Sequence, residues 1–228
     1  MPEIWGIAEN ETYVANCSGQ TTYIYRKDGT PVTQIKGQRY AYWPLFTPDG
    51  NLWIKASTGH MYVYSADDFL LIKRWKEMKY DSQDGNHILS WDNRHVIDVL
   101  HEVGRPERES RAIVRRYAID TLSFTEQNVE GLPHLGITRY DDGRHYLLLD
   151  YDKLSLMDET GVTESKPLPK REDLRLSSII SLQCYGCTEA AYRWSDFAYA
   201  PGNEKMTPDE IRRFSLSDYY RRLPAETL

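Results

Sequence analysis

Cysteine is scarce in this sequence. Cys17, Cys184 and Cys187 are the three among 228 residues, and an odd, widely spaced set does not make a disulfide framework. The Cys184-Tyr185-Gly186-Cys187 segment flanks a predicted two-residue hairpin turn. A reactive thiol would sit at a helix N-terminus that lowers its pKa, so these cysteines read as structural. A zinc site would need two more ligands at suitable spacing, and neither a second cysteine pair nor a pair of histidines is present. No cofactor and no metal is expected.

Basic excess is missing as well. Lysine and arginine number 28 against 34 acids, giving a net charge of −6 and a pI near 5.6. A nucleic-acid binder needs a concentrated basic surface to displace counterions, so that class is set aside. No apolar run approaches the length that spans a bilayer, and residues 1–20 have no basic head followed by an apolar stretch. A cytoplasmic chain without membrane contact is expected. Catalytic signatures are also lacking: there is no phosphate-cradling glycine loop, no Gly-x-Ser-x-Gly elbow, and His101-Glu102 is followed by Val103-Gly104-Arg105, without the second metal ligand of a zinc-protease helix.

What the sequence does have is aromatic residues in short runs between turns. Aromatics make up 12% of the chain, with 17 Tyr and 6 Trp, which suits sheets packed face to face through large flat side chains. The clearest stretch is Leu45 to Trp75. Its apolar runs Leu45–Thr47, Leu52–Ala56, Met61–Tyr64 and Phe69–Trp75 are separated by Pro48-Asp49-Gly50, Ser57-Thr58-Gly59 and Ala66-Asp67-Asp68. β-branched and aromatic runs broken by Asp-Gly and Thr-Gly predict consecutive antiparallel hairpins, here a four-stranded meander.

One such meander cannot bury both its faces, so the sequence should repeat it. Turns like Asp49-Gly50 occur at Asn10-Glu11, Asp92-Asn93, Asp142-Gly143 and Tyr185-Gly186. A second series runs through Asp28-Gly29, Asp67-Asp68, Asp120-Thr121 and Thr160-Gly161. Two turn series in one phase, with a spacing of about 40 to 50 residues, have the form of β-propeller blades. In that pattern the chain resembles the WD40-like or YVTN-like propeller superfamily over roughly residues 7–200. Gly59-His60 sits near the place where a WD-type repeat carries its Gly-His. No unit ends in Trp-Asp, and Trp91-Asp92 lies at a first turn.

The expected fold is therefore all-β: a propeller-like array of four to five four-stranded antiparallel meanders with a short C-terminal helix. The propeller-like domain is assigned to residues 1–206 and a helical tail to 207–228. Thr207-Pro208-Asp209-Glu210 is a capping box with proline at the first helical position, so a helix is expected from there to Arg222. Trp53, Val63, Val96, Ile113, Leu148 and Leu156 are the expected core. Gly37–Pro44 is expected to be an aromatic crossover loop, Lys76–His87 a polar one, and Glu102–Arg111 a charged insertion in the third unit.

Propeller geometry sends the second turns and the crossovers to one end and the first and third turns to the other. The first group gathers the candidate partner-binding residues Arg39, Tyr40, Tyr42, Trp43, His60, Tyr80, Asp81, Arg105, Arg108 and Tyr151, with Asp84 and Asp152 beside them. Long, varied, aromatic loops on a rigid scaffold are where recognition concentrates. The acidic balance points to a basic protein partner, with the chain acting as a non-catalytic binder of inhibitor or immunity type. Two alternatives stay open. One is a small propeller enzyme acting on glycans through channel carboxylates, with Asp92, Asp98, Asp141 and Asp150 as candidates; the other is a structural subunit held in a larger assembly by its C-terminal helix.

Overall fold

The computed structural model describes residues 5–56, 59–76, 80–81, 86–102, 111–129, 136–149, 153–167 and 215–224. The turn chemistry read from the sequence organises it. At each first turn an Asx side chain accepts the backbone N–H two residues on: Asn10 from Thr12, Asp49 from Asn51, Asp92 from Arg94 and Asp142 from Arg144. Asp28, Asp68 and Asp158 do the same at third turns. These side chains satisfy donors that a tight turn would otherwise orphan. Tyr185-Gly186 and the fifth predicted unit lie outside the described residues.

Between the turns run β1 (Gly6–Glu9), β2 (Tyr13–Arg26), β3 (Pro31–Phe46), β4 (Leu52–Ala56), β5 (His60–Tyr64) and β6 (Leu71–Lys76), antiparallel in sequential order. Extended throughout, β2 would span on the order of 45 Å. Instead the Lys27 N–H donates to the Thr12 carbonyl at 3.2 Å, so the strand doubles back, at Gly19 with φ 64°. β3 breaks its register in the same way: Thr21 pairs Lys36, Gly19 pairs Ala41, and Gly37–Tyr40 bulges out between them. The first sheet thus holds two predicted meanders joined through one bent strand.

A second sheet contains β7 (Tyr80–Asp81), β8 (His87–Leu89), β9 (His95–Glu102), β10 (Arg111–Ala118) and β11 (Phe124–Val129), with β7 and β8 both on β9. The third is β12 (Gly136–Arg139), β13 (Tyr146–Leu149), β14 (Lys153–Met157) and β15 (Val162–Pro167).

Three clusters lie between successive units. Ala15, Cys17, Ile24 and Ile35 meet Leu52, Ile54, Tyr62 and Tyr64. Trp53, Met61, Val63 and Trp75 meet Val96 and Tyr117. Ile97, Val99, Ala112 and Val114 meet Ile137, Tyr146, Leu148 and Met157. Alternation along β4 sends Leu52, Ile54 and Ala56 to one neighbour and Trp53 to the other, so the strand is buried on both faces. Each large apolar side chain buried this way stabilises by about 1.5–3 kcal/mol. Units stacked face to face, each a meander, make the architecture all-β and propeller-like.

The helix α1 (Leu216–Arg222) is capped by Ser215, whose hydroxyl accepts the Asp218 N–H at 3.2 Å. It docks on the fourth unit: Ser217 Oγ accepts the Asp141 N–H at 3.2 Å, Lys166 Nζ donates to the Tyr220 carbonyl at 3.2 Å, and Tyr140 meets Tyr220 edge-on. The capping box expected at Thr207 lies outside the described residues. Among the described residues no helix is long and apolar enough to cross a membrane.

Three expectations are corrected. The crossover predicted over Gly37–Pro44 is confined to Gly37–Tyr40, because Ala41–Phe46 pairs with β4 from Ala41–Ala56 to Phe46–Leu52. Its aromatic and apolar residues form a strand, not a loop. The predicted polar crossover Lys76–His87 contributes β7, which pairs Glu102 and His101. Leu156 is half-buried while Trp53, Val63, Val96, Ile113 and Leu148 are buried; β14 alternates regularly, so Ser155 and Met157 lie opposite Leu148 and Tyr146 on the face packed against the third unit, and Leu156, opposite Leu147, is on the other face.

Candidate interaction face at the crossover end

The two ends of the array are built differently. At one end first and third turns touch: the Ala66 N–H donates to Asn51 Oδ1 at 3.0 Å, the Ile119 N–H to the Arg94 carbonyl at 3.0 Å, and Arg144 lies 3.5 Å from Asp158. These short polar turns satisfy one another. At the other end the Gly19 turn meets the Gly37–Tyr40 crossover. Trp5, held to Cys17 by a backbone bond of 2.9 Å, lies over Gly19. Its ring stacks on Tyr40 with 2° between planes and 6.1 Å between centroids.

A buried polar chain fixes this crossover from below. Thr22 Oγ1 donates to Gln38 Oε1 at 2.6 Å, Gln38 Nε2 donates to the Tyr64 hydroxyl at 3.2 Å, and the Cys17 thiol lies 3.3 Å from Thr22 Oγ1. Burial pushes the Cys17 thiol and the Tyr64 phenol up to about 12, so both stay neutral and keep these bonds near neutral pH. With Gln38 2% exposed and tied down, Arg39 and Tyr40 are turned outward. Tyr40 has φ 53° and is 48% exposed. A side chain in the left-handed region costs about 1–2 kcal/mol, and such strain persists where the surroundings over-determine it, as they do at ligand clamps.

The structure brings only part of the predicted set together here. Arg39 and Tyr40 are exposed at the crossover, and Trp43 is half-buried in β3; Tyr42 is on the same strand. His60 opens β5 at 4% exposure, stacked on Tyr62. Tyr80 and Asp81 form β7. Asp84, Arg105, Arg108, Tyr151 and Asp152 lie outside the described residues. Trp5 and Gln38 were missed; the visible signal was Gly37 followed by the polar pair Gln38-Arg39 just before the apolar run Tyr40–Phe46.

A second constellation was also missed. Across the second sheet His87, Asp98, Arg115 and Glu126 are direct register partners, one on each of four strands. Lys55 reaches into this row from β4 and donates to Asp98 Oδ1 and the Val99 carbonyl, both at 2.6 Å. Arg115 bonds Glu126 and the Tyr117 hydroxyl. Burial pushes the Asp98 carboxyl up against the lowering pull of Lys55. Burial, with Lys55 nearby, holds His87 down to about 3, and neither ring nitrogen has a hydrogen-bond partner among the described residues. A lysine amid Ile54 and Ala56, on a strand buried on both sides, was the legible clue.

Three of the four candidate glycosidase acids have structural occupations. Asp92 serves its turn, Asp98 sits in mid-strand bound to Lys55, and Asp141 pairs with Arg221 of α1; Asp150 lies outside the described residues. Among the described residues no three His, Cys, Asp or Glu side chains converge to hold a metal.

The chain is thus an all-β repeat protein of propeller-like architecture. It is similar to the structure titled Kuenenia stuttgartiensis hydrazine synthase, with a TM-score of 0.59 and 12% identity over 77% of this chain. The match spans 52% of that longer chain. In all, 574 solved chains match, as expected of an architecture reused for many activities, so the likeness concerns fold alone. No family model and no curated protein matches the sequence.

Proposed function

We propose that this chain is a non-catalytic propeller of the WD40-like or YVTN-like kind, which binds a protein partner through its crossover end. The observation that carries the reading is Tyr40: an aromatic side chain kept in the left-handed region, half exposed, stacked on Trp5 and anchored through Gln38. Tyr, Trp and Arg anchor interfaces because they bury large area at modest entropic cost and still hydrogen-bond. The net charge of −6 favours a basic partner in the cytoplasm, by steering its approach. An inhibitor or immunity-type role fits a binder of this kind. The enzyme reading has less support, since Asp92, Asp98 and Asp141 are each engaged in structural contacts.

The test is affinity capture from the native host with wild-type protein, with Arg39→Ala/Tyr40→Ala, and with Asp49→Ala/Asp142→Ala at the opposite end. The crossover variant should lose the captured partner at an unchanged melting temperature. Loss only with the opposite-end variant would overturn the reading.

A further inference from the structure

The outer strands of the four units are not alike. The outer half of β3, β11 and β15 each show one large exposed apolar residue: Val32, Phe124 and Val162. β6 and the residue before it show three in succession, Leu70, Leu71 and Ile72, exposed by 67%, 51% and 47%. An extra residue at Ile72 shifts the register between Val63–Lys73 and Tyr64–Leu71, which helps turn this side chain outward. The same strand continues with Lys73, Arg74 and Lys76, all exposed. Among the described residues none of the three has a carboxylate within ion-pair distance, although acids outnumber bases in the chain. Among the described residues β6 is also the last strand of its sheet, paired to β5 alone.

Cations on an edge strand usually keep edges from pairing. That role does not call for three adjacent apolar side chains on the same strand. The two features together select a partner: like charges repel a second β6 edge, while opposite charge admits an acidic one. We propose that β6 is a docking edge for an extended, acidic segment of another protein, added as a further antiparallel or parallel strand. Backbone bonds to the free edge provide the affinity of such an addition, and alternate side chains set its specificity. Carboxylates of the added strand face Arg74 and Lys76, which share one side of β6, and its apolar residues cover Leu70, Leu71 and Ile72. This surface lies on the flank of the array, separate from the crossover end.

The test uses the full chain and fluorescence anisotropy of a short labelled peptide alternating valine and glutamate. Wild-type protein should bind it, with affinity falling between about 50 and 500 mM salt as the ionic contacts are screened. Arg74→Glu/Lys76→Glu should weaken binding at least tenfold, and N-methylation of alternate peptide bonds should abolish it. Tyr40→Ala should bind like wild type, which separates this proposal from the one about the crossover end. If charge reversal lowers the melting temperature, Arg74→Gln/Lys76→Gln replaces it, with a smaller loss of affinity expected. No binding, equal binding of a valine-lysine peptide, indifference to N-methylation, or loss with Tyr40→Ala would each overturn the proposal. So would a wild-type dimer in sedimentation that charge reversal dissociates, since the occupant would then be a second copy.

Discussion

Lys55 and Asp98 meet across two neighbouring sheets, Nζ to Oδ1 at 2.6 Å, with side chains only 1% and 2% exposed. Lys55 is flanked by Ile54 and Ala56 and Asp98 by Ile97 and Val99, so the pair ties the second unit to the third at a depth where water cannot replace either partner. Removing one charge of a buried pair strands the other, whereas removing both costs far less. Lys55→Met should therefore lower stability by about 3–5 kcal/mol. Lys55→Met/Asp98→Leu should recover most of it in urea titrations, and a double variant no more stable than the single one would contradict this account.

His87 gives the protein a pH dependence of known sign. Its folded pKa is about 3 against an ordinary value near 6.5. Below about pH 6.5 the unfolded chain takes up a proton that the folded chain refuses, so stability falls with pH at up to about 1.4 kcal/mol per unit until about pH 3. Above that window the group contributes no slope. The turn carboxylates Asp28, Asp92, Asp142 and Asp158 are held low by hydrogen bonds and add their own loss only near and below about pH 4. His87→Leu should flatten the dependence between about pH 4.5 and 6.5. Its stability at pH 7 should not fall, because a buried imidazole with no hydrogen-bond partner among the described residues is removed.

Cys17 should resist alkylation. Its thiol is fully buried and pushed up to about 12, so the thiolate that reacts is almost absent at pH 8. Mass spectrometry of the peptide carrying Cys17 should find it unlabelled by iodoacetamide in the native protein and labelled after unfolding. Fast native labelling would show that the first unit opens readily.

Two leucines on adjacent strands should respond differently to truncation. Leu148 is fully buried between the third and fourth units, and Leu148→Ala should cost about 2–5 kcal/mol. Leu156, half-buried beside the register shift, should lose about 1 kcal/mol or less. Equal losses in chemical denaturation would place Leu156 in the core after all.

The turns were legible because their chemistry is local. An Asn or Asp that hydrogen-bonds a backbone N–H two residues ahead needs no tertiary partner, so Asn10, Asp49, Asp92 and Asp142 could be recognised as one series. The repeat and the all-β fold followed from their phase. Strand ends beside crossovers were not legible, because aromatic residues suit an exposed binding loop and a half-buried strand equally well. Pairing with β4 decided that Ala41–Phe46 is a strand.

Sequence alone determined where the chain turns, which strands alternate and that neighbouring meanders need one another to bury their faces. Tertiary structure alone decided which polar residues lie inside. Lys55, His87, Asp98 and Arg115 are ordinary surface residue types, and only the stacking of one sheet on the next brings Lys55 to Asp98 and withdraws both from water. It likewise decided that Gln38 lies beneath the crossover while Tyr40 stands out from it, since the bond from Thr22 and the stack on Trp5 join residues far apart in the chain. Local propensity acts through neighbours along the backbone; burial and ion pairing act through neighbours in space.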